Sequence, residues 1–316
     1  MNKKKKNFFH GIMFHHFHDK KNFLKSQGSI SKEEFLKIIK KIGIKNILNA
    51  DLFEKKLYQK KIKSNQVCLT FDDGLLCQYK IVYPLLRKLK IKAFWFVYTS
   101  IFTNKPSPLE IYREFRNNYF KDINEFYNFF FSDNFFLKNK ETFNKFKKKI
   151  KKEIKFKKKI FPFYSNNDLL FRLTRDQFLS QNQYMEIMTR LMKTKKVKTS
   201  KIIKKLFIQK KHIVEMKKNG QVFGLHSHNH PTNINKLNYK DQINEYKINL
   251  KYLKKITKTN ITCMSHPCGE YNKKLLNFFL KKKITLGFKS NMSPTNNKIN
   301  LSNLEIARED HSNLII

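Results

Sequence analysis

The chain has 316 residues, enough for one large domain or one domain carrying an insertion. It holds 67 Lys and Arg against 24 Asp and Glu, but the excess is mostly Lys beside abundant Asn, Ile and Phe, the residues of A/T-rich codons; with no nucleic-acid fold signature, nucleic acid is not expected as a partner. Four cysteines without a CxxC spacing argue against a disulfide scaffold or a cysteine zinc site, and no run of about 18 apolar residues reads as a transmembrane helix.

The N-terminus, MNKKKKNFFHGIMFHHFHD, starts like the basic region of a secretory leader. His10, His15, His16 and His18 then break its apolar run and no small-residue cleavage site follows, so a cytoplasmic location is expected. The basic composition suits peripheral contact with an anionic inner membrane face. No pattern sets an oligomeric state.

Phe8 to Phe14 predicts a first strand running into His15-His16-Phe17-His18-Asp19. Ser31-Lys32-Glu33-Glu34 is a capping box, opening a helix with Phe35, Ile38, Ile39 and Ile42 on one face. Ile44 to Leu48 reads as a short strand. Val67-Cys68-Leu69-Thr70-Phe71 alternates like a strand and stops at Asp72-Asp73, and Gly74 permits a sharp turn. A helix with Leu85, Leu86 and Leu89 follows, kinked or started by Pro84, and Ile91 to Val97 is a buried strand. Alternating strands and helices over residues 1–104 argue for a parallel α/β sheet or barrel.

Residues 105–215 change character, with no glycine between Gly74 and Gly220. Phe143, Phe146, Ile150 and Ile154 recur at helical spacing, so this stretch reads as a helical insertion. Its lysines from Lys147 to Lys159 suit a solvated face, and its aromatic clusters, Phe129-Phe130-Phe131 and Phe135-Phe136, suit a core. Over 216–316 the α/β pattern returns. A strand from Gly220 to Leu225 runs into His226-Ser227-His228-Asn229-His230-Pro231, and a helix spans about Lys240 to Lys255. Ile261 to Met264 is a strand ending in Ser265-His266-Pro267-Cys268-Gly269, and Asn272 can cap the helix through Leu280. Leu286 to Lys289 reads as the last strand, before Arg308-Glu309-Asp310-His311.

Three strand ends therefore carry polar chemistry: Asp72 with Asp73, His226 with His228 and His230, and Ser265 to Gly269. In a parallel barrel the loops after the strands share one face. Two imidazoles and a carboxylate are the donor set of a catalytic zinc site with an open position. The second carboxylate could act as base, and N–H groups near Pro267-Cys268-Gly269 could meet an oxyanion. Each motif alone also has a plain reading, a turn at Asp-Asp-Gly or histidines on a solvated loop.

The Thr70-Phe71-Asp72-Asp73-Gly74 run, the His226-x-x-x-His230-Pro231 run and the Pro267-x-Gly269 run resemble the first three motifs of the polysaccharide deacetylases, the NodB-homology domain of carbohydrate esterase family 4. Ile91 to Val97 adds to the likeness, which covers roughly residues 8–103 and 216–310. The resemblance implies an α/β fold, a distorted (β/α)7-type barrel with a large mainly helical insertion. It also implies metal-dependent removal of an acyl group from a sugar. By position it makes Asp72 the catalytic base and Asp73, His226 and His230 the metal ligands, with Zn2+ the expected ion. Cys268 stands where the family usually has an aromatic residue whose backbone N–H stabilises the oxyanion. His228 falls where the family varies and is not made a ligand.

Two departures stand out. Ser265 occupies the place of the arginine that orients the base in the family. The family's Leu-x-His motif, which brings the catalytic acid, has no clean match, leaving His16 as candidate acid beside His311. The expected function is a metal-dependent deacetylase of an acylated sugar or glycan intermediate in surface polysaccharide biosynthesis. The alternatives are a deformylase of a lipid-linked aminosugar at the inner membrane face and a catalytically silent glycan-binding relative.

Overall fold

Short strands buried on both faces are the pattern of a parallel sheet covered by helices. The structure, a computed structural model, describes residues 10–160, 164–290 and 302–314. Its first part runs β1 (Gly11–Phe14), α1 (Lys32–Ile42), α2 (Ala50–Tyr58), β2 (Cys68–Asp72), α3 (Tyr83–Lys88) and β3 (Phe94–Val97). Helices follow: α4 (Leu109–Asn118), α5 (Ile123–Phe131), α6 (Asn134–Lys138), α7 (Lys140–Ile160), α8 (Asn166–Leu173), α9 (Gln181–Thr194), α10 (Thr199–Leu206) and α11 (Lys210–Lys218). The chain ends with β4 (Val222–Leu225), α12 (Tyr239–Thr257), β5 (Cys263–Ser265), α13 (Lys273–Lys281), β6 (Leu286–Phe288) and β7 (Arg308–Asp310). It divides into two units, residues 1–107 with 205–316, and residues 108–204.

In the first unit the strands lie in the order β6-β5-β4-β3-β2-β1-β7, every pair parallel. The outer strands meet through a parallel bridge between Phe288 and Ile306. There Ile306 N–H donates to Gly287 O at 2.9 Å and Lys289 N–H donates to Ile306 O at 3.0 Å. Seven strands thus nearly close a barrel, the (β/α)7 form.

Alternate strand residues point to opposite faces. Cys68, Phe94, Phe96, Cys263, Leu286, Phe288 and Ile306 share one buried cluster with Leu48, Ala50 and Phe53, so α2 packs against the lumen residues. Gly224 is needed there, because a Cβ would stand 2.6 Å from the Phe96 ring. On the outer face Phe71 stacks on Trp95 with centroids 4.3 Å apart, and Phe14 meets Phe35 of α1 at 5.2 Å. By this parity Gly11, Met13 and His15 follow one face of β1, and Thr70 and Asp72 the matching face of β2.

Local signals were followed closely at several helix ends. Ser31 and Glu34 form the reciprocal capping box of α1. Asn272 caps α13 by accepting the Leu275 N–H at 3.0 Å. Pro84 lies in the first turn of α3, after a π turn over Gln78–Val82, so it starts the helix.

Two strand assignments need correction. Ile44 to Leu48 is a 3-10 turn over Ile44–Asn46 followed by one bridge, Ile47 to Val67. β1 and β3 already occupy both sides of β2, so no full ladder is open to it. The strand through Leu286 is not the last, because β7 follows and pairs with β1. β7 escaped notice because Arg-Glu-Asp has no apolar alternation. The expected start of the first strand at Phe8 lies outside the described residues.

The second unit is helical. Phe115, Phe126, Phe130, Phe136, Phe143 and Phe171 are buried in it, and Phe130 meets Phe171 edge-on at 4.9 Å. Most lysines of α7 are exposed. The unit is narrower than the expected 105–215, since α11 belongs to the barrel unit. Among the described residues no helix is long and apolar enough to cross a membrane.

Candidate active site

The site begins with backbone geometry at three strand ends. Asp73 has φ 76° and His230 φ 52°, with Ser227 at 61° and Cys268 at 54°. Left-handed conformations are uncommon for non-glycine residues and concentrate where function holds them. At Gly74, φ 65°, a Cβ would also collide with Val97 at 2.9 Å. The β2 exit therefore turns sharply, and Asp72 and Asp73 leave it in different directions.

Asp73, His226 and His230 come together and are all buried, with ligand atoms within 4.8 Å of one another. His226 Nε2 lies 3.5 Å and His230 Nε2 3.4 Å from Asp73 Oδ1. Asp73 Oδ1 is buried and has no hydrogen-bond partner among the described residues. Ligands on tetrahedral bonds of about 2.0–2.2 Å stand about 3.3–3.6 Å apart. A small divalent ion therefore fits the spacing and would satisfy the orphaned carboxylate oxygen.

The surroundings set the donor atoms. His226 Nδ1–H donates to Ser265 O at 3.0 Å, which leaves Nε2 as the free lone pair. Its backbone N–H donates to Asn249 Oδ1 at 2.9 Å, and Asn249 Nδ2 donates to Val97 O at 2.9 Å. One buried amide on α12 thus ties the ends of β3 and β4. His230 N–H donates to Ser227 Oγ at 2.9 Å, holding the tight loop. His228 turns elsewhere: its Nδ1 pairs with Thr99 Oγ1 at 3.0 Å and its ring stacks on Tyr252. Burial works against charge on Asp73, but the two imidazoles and His15 hold its carboxyl well below the usual range.

Asp72 faces the lumen, 2 % exposed. Burial again opposes its charge, yet Arg308 and then His226 keep its carboxyl below the ordinary value. Arg308 Nη1 donates to Asp72 Oδ1 at 2.8 Å and Nη2 to Oδ2 at 2.7 Å, a bidentate pair. The expected arginine at position 265 is absent, and a guanidinium arrives instead from β7. Sequence reading passed over Arg308 as part of a charged run.

At the end of β1, His15 Nε2 lies 3.8 Å from Asp72 Oδ2, with the side chain 30 % exposed. His16 lies within 4.8 Å of Asp73, ligand atom to ligand atom. Strand parity carried the signal for His15, two residues after Met13 on the inward face. His311 is buried, stacked on Phe14, with Nδ1 3.3 Å from Met13 O. Cys268 is exposed in a 3-10 turn over Pro267–Gly269. In that turn the Gly269 N–H already donates to His266 O and the Glu270 N–H to Pro267 O, so Gly269 is not an oxyanion donor as placed.

A family model described as Polysaccharide deacetylase matches residues 59–119 and 171–286, more than half of the chain. No curated protein matches the sequence. The fold is similar to Streptococcus pyogenes deacetylase PplD in complex with acetate, at 16% identity and TM-score 0.53, covering 96% of this chain and 92% of that one. It is also similar to a de-N-acetylase from Aggregatibacter actinomycetemcomitans, at 13% identity and TM-score 0.52, over 94% and 92% of the two chains. A third neighbour is the BpsB deacetylase domain from Bordetella bronchiseptica, at 12% identity and TM-score 0.50, over 96% of each chain. These likenesses establish the barrel, and with the family match across both of its halves the chain belongs to the polysaccharide deacetylase family.

Proposed function

We propose that the protein is a metal-dependent hydrolase that removes an N-acyl group, acetyl in the leading case, from a sugar or glycan intermediate. The observation that carries this reading is the convergence of Asp73, His226 and His230 beside the arginine-paired Asp72. Asp73, His226 and His230 would hold the ion, and their donor set suits Zn2+. The ion supplies Lewis acidity, acidifying a water and polarising the acyl carbonyl. Asp72, kept ionised by Arg308, accepts the proton from the attacking water. The backbone at Cys268 is the proposed oxyanion donor. The leaving amine takes its proton from a histidine at the end of β1, His16 as expected or His15, which stands nearer the base.

Arg308 also bears on the catalytically silent alternative, whose main support was the missing arginine at Ser265. Full-length protein should contain about one transition-metal ion per chain and release acetate from N-acetylated sugars, with chelator abolishing release. The substrate panel includes free, nucleotide-linked and lipid-linked sugars, with N-formyl analogues to separate deformylation. Asp72→Asn should lower kcat by about 10²–10⁴-fold. Metal binding with no turnover on any substrate would favour the silent relative, and absence of metal affinity would sink the hydrolase reading.

A further inference from the structure

Arg308 is 1 % exposed, and every N–H of its guanidinium is placed. Nε donates to Lys289 O at 3.2 Å. Nη1 donates to Thr70 Oγ1 at 3.2 Å and Asp72 Oδ1 at 2.8 Å. Nη2 donates to Asp72 Oδ2 at 2.7 Å and Ser265 Oγ at 2.8 Å. That uses all five donors of the fork. The group joins β7, β6, β2 and β5 in one layer of the lumen.

The barrel is also shaped to admit this side chain. Gly11 is the β1 partner of Arg308, and a Cβ there would stand 2.8 Å from Arg308 Cγ. Gly11 is not among the positive-φ residues, so its lack of a side chain serves space rather than backbone freedom. A buried ion pair is a poor source of net stability compared with apolar packing. Its place on Asp72, next to the metal-ligand candidate Asp73, gives it a different use. A fork on both carboxylate oxygens fixes the plane of Asp72 and the direction of its free lone pairs.

Ser265 touches the same two groups. Its Oγ is 2.8 Å from Arg308 Nη2 and 3.4 Å from Asp72 Oδ2. A longer side chain rooted on β5 would enter the same space from the opposite wall. We infer that Arg308 is the positioning residue of the base Asp72, and that position 265 is a second seat from which the same guanidinium can be delivered. This rests on the proposed hydrolase reading, because it assigns Arg308 a task within that reaction.

The test compares wild type, Arg308→Lys, Arg308→Ser, Ser265→Arg and the double variant Arg308→Ser/Ser265→Arg. Metal content, melting and steady-state kinetics are measured on an N-acetyl sugar and on an activated acetate ester. Lysine keeps the charge but not the fork. Arg308→Lys should stay folded, keep its metal and KM, and lose kcat by about a hundredfold. Ser265→Arg alone should also slow the enzyme, since two guanidiniums then compete for one buried carboxylate. The double variant should recover about tenfold in kcat over Arg308→Ser, a sign reversal that neither a generic packing defect nor lost metal would produce. If Arg308→Ser does not fold, recovery of fold and activity together in the double variant carries the same meaning. Wild-type kcat in Arg308→Lys, or a double variant no better than its Arg308→Ser parent, would overturn the inference while leaving the hydrolase reading intact. A wild-type protein that hydrolyses neither substrate would overturn both.

Discussion

Asp73 and His230 reach the candidate metal position through left-handed backbone. Such conformations cost roughly 1–3 kcal/mol each, so neighbouring contacts must hold them. The spacing of His226 and His230 was legible in the sequence, and so was the exclusion of His228, which pairs with Thr99. His226→Ala and His230→Ala should each lose bound metal on dialysis, whereas His228→Ala should keep it; retention in all three would refute the ligand set. The proton donor calls for a different measurement. A donor to the leaving group matters for an amide and little for an ester with an acidic phenol. His15→Gln should therefore cut amide hydrolysis by about 10²–10⁴-fold while sparing the activated ester. If His16→Gln alone shows that split, the donor is His16, as the sequence reading expected. Which of two adjacent histidines faces Asp72 depends on strand parity, and that is settled by counting from Gly11, a residue whose purpose shows only beside Arg308.

Among the elements, those with local signals were read well and those defined by distant partners were not. The capping box at Ser31 and the cap at Asn272 sit within three residues of what they bind. Ile44 to Leu48 had strand-like composition but no vacant sheet edge, and β7 had a place in the sheet but no strand-like composition. The turn after β5 is joined to the segment before β7 by His266, whose Nε2–H donates to Leu304 O at 2.9 Å while its ring stacks on Tyr271 at 4.3 Å. Burial pushes the His266 pKa down to about 4 from 6.5. Between those values the unfolded chain binds a proton that the folded chain refuses. Stability from this group is complete above pH 6.5 and is lost as pH falls toward 4, about 3 kcal/mol over the whole window. His266→Gln, which keeps a donor for Leu304, should flatten the fall in melting temperature between pH 7 and pH 5. An unchanged slope would place the acid sensitivity elsewhere.

For the whole molecule, the division into a barrel unit and a helical unit has an energetic consequence. Phe130 is fully buried and meets Phe126, Phe136 and Phe171 within its own unit. Phe130→Ala should cost that unit about 3–5 kcal/mol. Hydrogen exchange should then rise over residues 108–204 while the amides of β2 and β4 stay protected. Equal loss of protection in both units would show that they unfold as one. The sequence by itself determined the carboxylate pair, the histidine spacing, the helical character of the insertion and the alternating pattern of a parallel barrel. These depend on side-chain period and turn chemistry, which act over a few residues. Only the tertiary structure decided which arginine, of 67 basic residues, meets Asp72 across 236 positions of chain. Closing the barrel brings β7 against β1, and nothing local to Arg308 records that encounter.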